Sequence, residues 1–265
     1  MRNLGLMDPA FLGGLTSYDP DAAAYIAAVE AADGQALETG VKDAINAFVL
    51  GCKADGIWNA IKASCILAGA RTLAGALVPL VGAAPSQVGA AGGWNYTRKT
   101  GLAGNGTDNY LDSNRNNNAD PEDNKHLSVY VTATVSGVRR DLIGNRVITG
   151  SPSWIIWRNI NDFRTRLNQT LNTDYTAPDL GVGFKGICRL NASNLQARYA
   201  SVTYSSSFAS ASPLNENIAV FSASGLNFLP STTRLAFYSI GESLNLALLD
   251  ARVTALVNAL AVAIP

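Results

Sequence analysis

Four oxygen-bearing side chains in one Asn- and Asp-rich stretch are the densest chemical signal in this chain. Asp112, Asn114 and Asn116 stand at the first, third and fifth places of a loop whose twelfth place is Asp123. A calcium ion takes about six to eight hard oxygens, and a loop with this spacing can converge them. The sixth place, which usually needs glycine, is Asn117, and the twelfth carries Asp in place of a bidentate Glu. Strands rather than helices are expected on either side. Asn tolerates left-handed backbone, so the turn remains open to it. A polar run between strands is also ordinary turn chemistry. A calcium site and a solvated loop therefore both fit the spacing.

Aromatic residues supply a second candidate chemistry. Trp154, Trp157, Tyr199 and Tyr204 lie on or beside expected strands, as does Trp94. A sugar ring stacks on an exposed aromatic face while Asn and Asp bond its hydroxyls, so the first four are candidate glycan-binding residues. Trp154 and Trp157 are three apart and point to opposite faces of a regular strand. At least one of them then belongs to the core, where large aromatics usually sit. Arg164 and Arg166 share a face and form either a polar patch or a solvated surface.

Catalytic constellations are missing from the sequence. His126 is the one histidine. It opens a strand beside Asp123 and Lys125, with no nucleophile on a sharp turn to serve. Gly150-Ser-Pro-Ser-Trp reads as a turn rather than a nucleophile elbow. A glycosidase needs two carboxylates converging across a cleft, whereas the acidic residues here fall mainly in loops. Neither a phosphate-binding glycine loop nor a zinc spacing occurs. No basic and aromatic alternation suits single-stranded nucleic acid.

The elements that must position these residues change character near Trp94. The 265 residues are 48% hydrophobic and 15% charged, with a formal net charge of +0. Such a chain can fill a core, and it exerts no general electrostatic pull on nucleic acid or anionic membrane. Cys52, Cys65 and Cys188 are odd in number and widely spaced, so buried free thiols are expected, as in a chain made in the cytosol. Neither a signal peptide at the N-terminus nor a membrane-spanning helix over 57–84 is expected, because charge and proline break the apolar stretch.

Asp19-Pro20 reads as a helix start, followed by Tyr25, Ile26 and Val29 on one stripe. A second helix is expected from about 37 to 54, with Val41, Ile45, Phe48, Val49 and Cys52 as its apolar face. Ile57, Trp58, Ile61, Cys65 and Ile66 suggest a short third helix. Beyond Trp94 the period becomes two. Strands are expected at 127–135, 140–148, 153–157, 163–167, 182–190, 195–204, 218–222 and 233–240, with polar turns between them. A closing amphipathic helix follows, with Ser243 as candidate cap and Leu246, Leu249, Val253, Leu256, Val257 and Leu260 as its apolar face.

The order of these segments resembles that of phage virion proteins carrying a concanavalin A-like (laminin-G-like) jelly roll behind a short helical region. The stretches that carry the resemblance are Gly56-Ile-Trp-Asn-Ala-Ile-Lys-Ala, the run from Asn95 to Asp112, Asp123-Asn-Lys-His-Leu-Ser-Val-Tyr-Val, and the pair formed by 234–244 and the final helix. The fold class implied is mainly β, an antiparallel jelly-roll sandwich with an N-terminal helical region and a C-terminal helix. Residues 1–18 would be an arm, 19–67 a helical assembly region, 68–92 a linker and 93–265 the sandwich with its closing helix.

The resemblance implies a non-enzymatic structural protein of a bacteriophage virion, made in the host cytoplasm. It would be a tail or neck appendage (tail fibre) component, with a lectin-like module that binds host surface polysaccharide for host attachment. Its partners would be other virion proteins and further copies of itself, with a homo-oligomer of three expected. Two alternatives stand beside it, a capsid decoration protein and a polysaccharide depolymerase. No cofactor other than the candidate calcium ion is expected.

Overall fold

The computed structural model describes residues 17–134, 140–146, 153–158, 162–169, 175–178, 181–225 and 230–265. Residues 1–16 of the expected arm lie outside them. The first helix, α1 (Pro20–Asp33), is capped by Asp19, whose carboxylate accepts the Asp21 N–H at 3.0 Å. It stops at Gly34, where a left-handed backbone (φ 65°) lets the cap N–H reach the Glu30 carbonyl. The second helix, α2 (Thr39–Ala54), buries Val41, Ile45, Phe48, Val49 and Cys52, the expected face.

The third expected helix is a strand. After a short 3-10 turn at Trp58–Ala60 the chain enters β1 (Ile61–Ile66). Ile57, Trp58, Ile61 and Cys65 fall at helical spacing, while Ile61, Ala63 and Cys65 also alternate with Lys62 and Ser64, and over so short a stretch the two periods compete. The segment 68–92 carries a one-turn helix, α3 (Leu73–Ala76), and β2 (Ser86–Val88). Asp33 organises its start by accepting from the Arg71 N–H, the Thr72 N–H and the Thr72 hydroxyl at 2.6–2.8 Å.

The remaining strands are β3 (Asn95–Thr97), β4 (Gly101–Ala103), β5 (Tyr110–Asn116), β6 (Lys125–Ala133), β7 (Arg140–Arg146), β8 (Ser153–Arg158), β9 (Asp162–Arg166), β10 (Tyr175–Pro178), β11 (Gly183–Arg189), β12 (Asn194–Tyr199), β13 (Val202–Ser207), β14 (Asn217–Val220), β15 (Ser224–Gly225) and β16 (Arg234–Gly241). The closing helix is α4 (Leu246–Ala263). The strands make two sheets, ordered β13-β12-β11-β6-β16-β4-β3 with β1 also on β16, and β10-β9-β8-β7-β14-β5-β2 with β15 also on β7. All described pairings are antiparallel except the two-residue β15–β7 contact. The fold is mainly β, an antiparallel jelly-roll sandwich with helices at its N- and C-terminal ends.

The first sheet is covered on both faces. Leu127, Val129, Ile187, Leu195, Leu235 and Tyr238 turn towards the second sheet and form the sandwich core. Phe184, Cys188, Ala236 and Phe237 turn the other way and pack with α1, α2 and α4. Phe48 meets Phe237 edge-on at 5.6 Å. Helix α4 is long and apolar enough to cross a membrane by length and composition, with mean hydropathy 1.7 over 18 residues. Here its stripe of Leu246, Leu249, Val253, Leu256, Val257 and Leu260 is buried against α2 and the covered sheet. Its cap is Asn245, not Ser243. Asn245 accepts the Ala247 and Leu248 N–H groups, while Ser243 donates to Asn124.

Ion pairs tie the helical layer down. Arg98, in the β3–β4 turn, donates to both oxygens of Glu38 at 3.0 and 2.7 Å, and this pairing pulls the Glu38 carboxyl down to about 2. Arg252 of α4 grips Asp55 at the end of α2 in the same two-pronged way. Gly241 lets β1 begin against β16, because a Cβ there would lie 2.1 Å from the Ala60 carbonyl oxygen. All three cysteines are free and buried.

The expected strand 195–204 is two strands. Tyr199 pairs with Val202 across Ala200 and Ser201, both with positive φ (48° and 60°). A two-residue hairpin turn of this kind normally uses Asn and Gly. Ala-Ser carries no such signal, which is why the turn is hidden in the sequence.

Candidate functional site

The open face of the second sheet carries a polar groove of about 390 Å³ between β5 and β14. Leu111 and Ile218 point into the sandwich core, so period two turns Tyr110, Asp112 and Asn217 outward. Tyr110, Asp112 and Asn116 form one wall, with Asn215, Glu216, Asn217 and Ala219 forming the other. A bulge shapes it. Asn116 pairs with Asn217 and Asp112 with Ala219, so β5 spends four residues where β14 spends two. Asn114, in the middle, takes a left-handed φ of 54°.

Side-chain bonds fix the groove. Asn217 donates to both Asp112 oxygens at 3.0 and 3.1 Å, and Asp112 also accepts the Asn114 N–H at 2.8 Å. Asn116 and Asn118 both donate to the Asn215 side-chain oxygen, at 2.9 and 3.2 Å. The rear is held by buried polar groups. The Glu216 carbonyl accepts from the Asn117 N–H at 2.8 Å, and the Asn117 carbonyl accepts from the Lys125 ammonium. Asn117 also donates to Asn168, which Ser153 joins from the other side. Lys125 is fully buried, and burial lowers its pKa to about 8. Arg189 is buried too, with its guanidinium donating to the Leu167 and Phe208 carbonyls at 2.8 and 2.9 Å. A wall anchored this way is preorganised, which lowers the ordering cost of binding.

The four candidate calcium ligands do not line one cavity. Asp112 and Asn116 share the groove, whereas Asn114 turns its amide to the Ala84 carbonyl and the Ser86 hydroxyl. Asp123 is not part of the groove lining; its Oδ1 is buried without a hydrogen-bond partner. Both Asp112 oxygens are already engaged by Asn217. Among the described residues no three His, Cys, Asp or Glu side chains gather as a metal-binding group.

The four candidate aromatics are divided between the sheets. Tyr199 and Tyr204 stack at 4.8 Å and 14° on the β12–β13 hairpin of the covered sheet. Tyr199 is only 4% exposed and belongs to the sandwich core, while Tyr204 is 36% exposed at the edge. Trp154 and Trp157 lie on β8 of the second sheet, paired with Gly144 and Arg140, and their side chains lie outside the described residues. Trp94 packs edge-on against Phe221 at 5.5 Å as part of the core margin. Arg166, read from the sequence as surface, is buried.

His126 sits in the middle of the covered sheet, not at a strand edge. Its Nδ1 lies 2.6 Å from the Glu242 carbonyl and its Nε2 2.9 Å from the Ser239 hydroxyl, which in turn bonds Ser128. Burial drives its pKa down to about 4. The trio is sealed from solvent, and the group that orients the ring is a backbone carbonyl.

Sequence reasoning missed Tyr110, Asn215, Glu216 and Asn217. The visible signal was the Asn-Glu-Asn run just before a strand, but only the β5–β14 register brings it to Asp112.

No protein-family model and no curated protein sequence matches the chain. Among solved structures it is similar to the botulinum neurotoxin serotype D binding domain, at 13% identity and a TM-score of 0.52, over 74% of this chain and 52% of that one. It is likewise similar to the receptor binding domain of the botulinum neurotoxin C/D mosaic serotype, at 12% identity and a TM-score of 0.50, over 74% and 51%. This chain thus matches about half the length of each. At such identities the likeness is one of fold alone, that of an antiparallel β-sandwich.

Proposed function

We propose that the chain is a non-enzymatic structural protein of a phage virion, a tail or neck appendage component, whose β5–β14 groove binds a host surface glycan. The observation that carries the glycan reading is the groove itself. It has a tyrosine ring at one end and a row of amides and carboxylates whose donors and acceptors match sugar hydroxyls. The amides are held by one another and by the Asp112 carboxylate. The resemblance in segment order supports the virion placement, and the toxin domains support only the fold. The module needs no cofactor, and further copies of the chain and other virion proteins are its partners.

The glycan reading is tested by screening the full chain on a panel of bacterial surface polysaccharides. Binding that falls at least tenfold in Tyr110→Ala and Asn215→Ala, with unchanged melting, supports it. Equal binding in those variants, or none on the panel, counts against it. Immunogold labelling of purified particles tests the placement: gold on appendages supports it, and gold spread over the head favours a decoration role instead.

Asp112 and Glu216 line the same groove, which favours depolymerisation as the second reading because sugar hydrolysis uses paired carboxylates. New reducing ends from a bound polysaccharide, lost in Glu216→Gln, would establish it over simple binding.

A further inference from the structure

The strand orders of the two sheets end in four strands among the described residues, and three of these ends are blunted; of the two strands beside these orders, β1 is bridged by Val81 at Ser64 and β15 has only two residues. Strands β2 and β3 have three residues each, and β10 has four and ends at Pro178. Short edges and proline are how sheets avoid pairing with other chains. The fourth edge, β13, differs. It has six residues, Val-Thr-Tyr-Ser-Ser-Ser, with no charge and no proline, and all but Ser206 are exposed.

The hairpin turn fixes which backbone groups face outward. Tyr199 and Val202 flank a two-residue turn and so form a hydrogen-bonded pair. Val202, Tyr204 and Ser206 therefore bond back to β12. Thr203, Ser205 and Ser207 aim their N–H and C=O groups away from it, where no described strand lies.

We propose that β13 pairs antiparallel with β13 of a second copy, with Ser205 opposite the second copy's Ser205 and Thr203 opposite its Ser207. This register satisfies all three outward residues on each strand, and an antiparallel strand paired with itself is two-fold symmetric. It brings no like charges together, since the nearest cation on β12, Arg198, is bound to Asp250 at 2.8 Å. Exposed Val202 (46%) and Leu190 (41%), at the two ends of the edge, would be partly covered. One six-residue seam buries less than the roughly 1,200–2,000 Å² of a stable interface. The dimer therefore dissociates on dilution. A pair, rather than a trimer, is the assembly that this edge supports, and it does not depend on the glycan reading.

Sedimentation velocity of the full chain across about 1–200 μM tests it. The expected result is a dimer fraction that rises with concentration and vanishes in Ser205→Pro, whose monomer keeps the wild-type circular dichroism and melting. Ser205→Cys gives a signal that does not rest on loss. The native thiols are buried, and facing Cα atoms about 5.5 Å apart permit a disulfide. A covalent dimer released by reductant is expected. A monomer throughout with no crosslink, a dimer indifferent to Ser205→Pro, or a trimer would each overturn the proposal.

Discussion

The two sheets are built from the same chemistry but obey different constraints. In its central strands the covered sheet is buried on both faces, because helices lie on one side and the second sheet on the other. Its central strand β16 is buried at every position after Arg234. The second sheet alternates. Along β5, Leu111 and Ser113 are buried while Tyr110, Asp112 and Asn114 face outward. One sheet is therefore free to hold shape and the other to vary its outer face, and the polar groove is found on the second. Residues that look chemically suggestive in the covered sheet, such as His126 and its two serines, are structural polar contacts within a dry layer.

The comparison can be broken most severely at Phe237. Its ring joins the covered sheet to Phe48 of α2, and Phe237→Ala is expected to cost about 3–5 kcal/mol in denaturant unfolding. A loss below about 1 kcal/mol would mean that the helices are not part of the same core.

Acid should attack the covered sheet next. His126 has a folded pKa near 4, below its ordinary 6.5. The unfolded chain then binds the extra proton between these values, so stability is full above pH 6.5 and is lost as pH falls towards 4. At about 1.4 kcal/mol per unit the loss is on the order of 3 kcal/mol. His126→Asn should remove that slope between pH 6.5 and 4 while leaving the acid limb from carboxylates such as Glu38. An unchanged slope in the variant would place the acid sensitivity elsewhere.

The β12–β13 turn offers a smaller and opposite effect. Ala200 and Ser201 hold left-handed backbone without the residues that prefer it. Replacing them by Asn and Gly should stabilise by roughly 0.5–2 kcal/mol, read as a higher melting temperature. A loss of stability would contradict the two-residue turn. The smallest expected effect is that of calcium on the second sheet. Millimolar calcium or a chelator should leave melting unchanged, because Asp112, Asn114, Asn116 and Asp123 do not converge. A calcium-dependent rise would restore the loop as a metal site.

Much of the covered sheet was legible in the sequence. The runs around Leu127–Val131, Phe184–Ile187 and Leu235–Ile240 read as strands, and Tyr25, Ile26 and Val29 marked the buried face of α1. Strand β1 was not legible, since Ile57, Trp58, Ile61 and Cys65 also fall at helical spacing, which competes with the short alternation of Ile61, Ala63 and Cys65 with Lys62 and Ser64. The hairpin at Ala200-Ser201 carries no turn residue to announce it. The groove was half legible. Asp112 and Asn116 stood out by type and spacing, but their partner Asn217 lies 105 residues away from Asp112, and nothing local specifies a bulge at Asn114. Trp154, Trp157, Tyr199 and Tyr204 stood out by type alone, and type does not say which face of a sheet is wet.

The central claim is that the open sheet binds and the covered sheet supports. Isothermal titration of a polysaccharide identified by screening, into wild type, Tyr110→Ala and Tyr204→Ala, tests it most directly. The account predicts at least a tenfold loss of affinity in Tyr110→Ala, wild-type affinity in Tyr204→Ala, and melting of Tyr110→Ala within error of wild type. Loss confined to Tyr204→Ala would move the site to the covered sheet's edge and contradict the account.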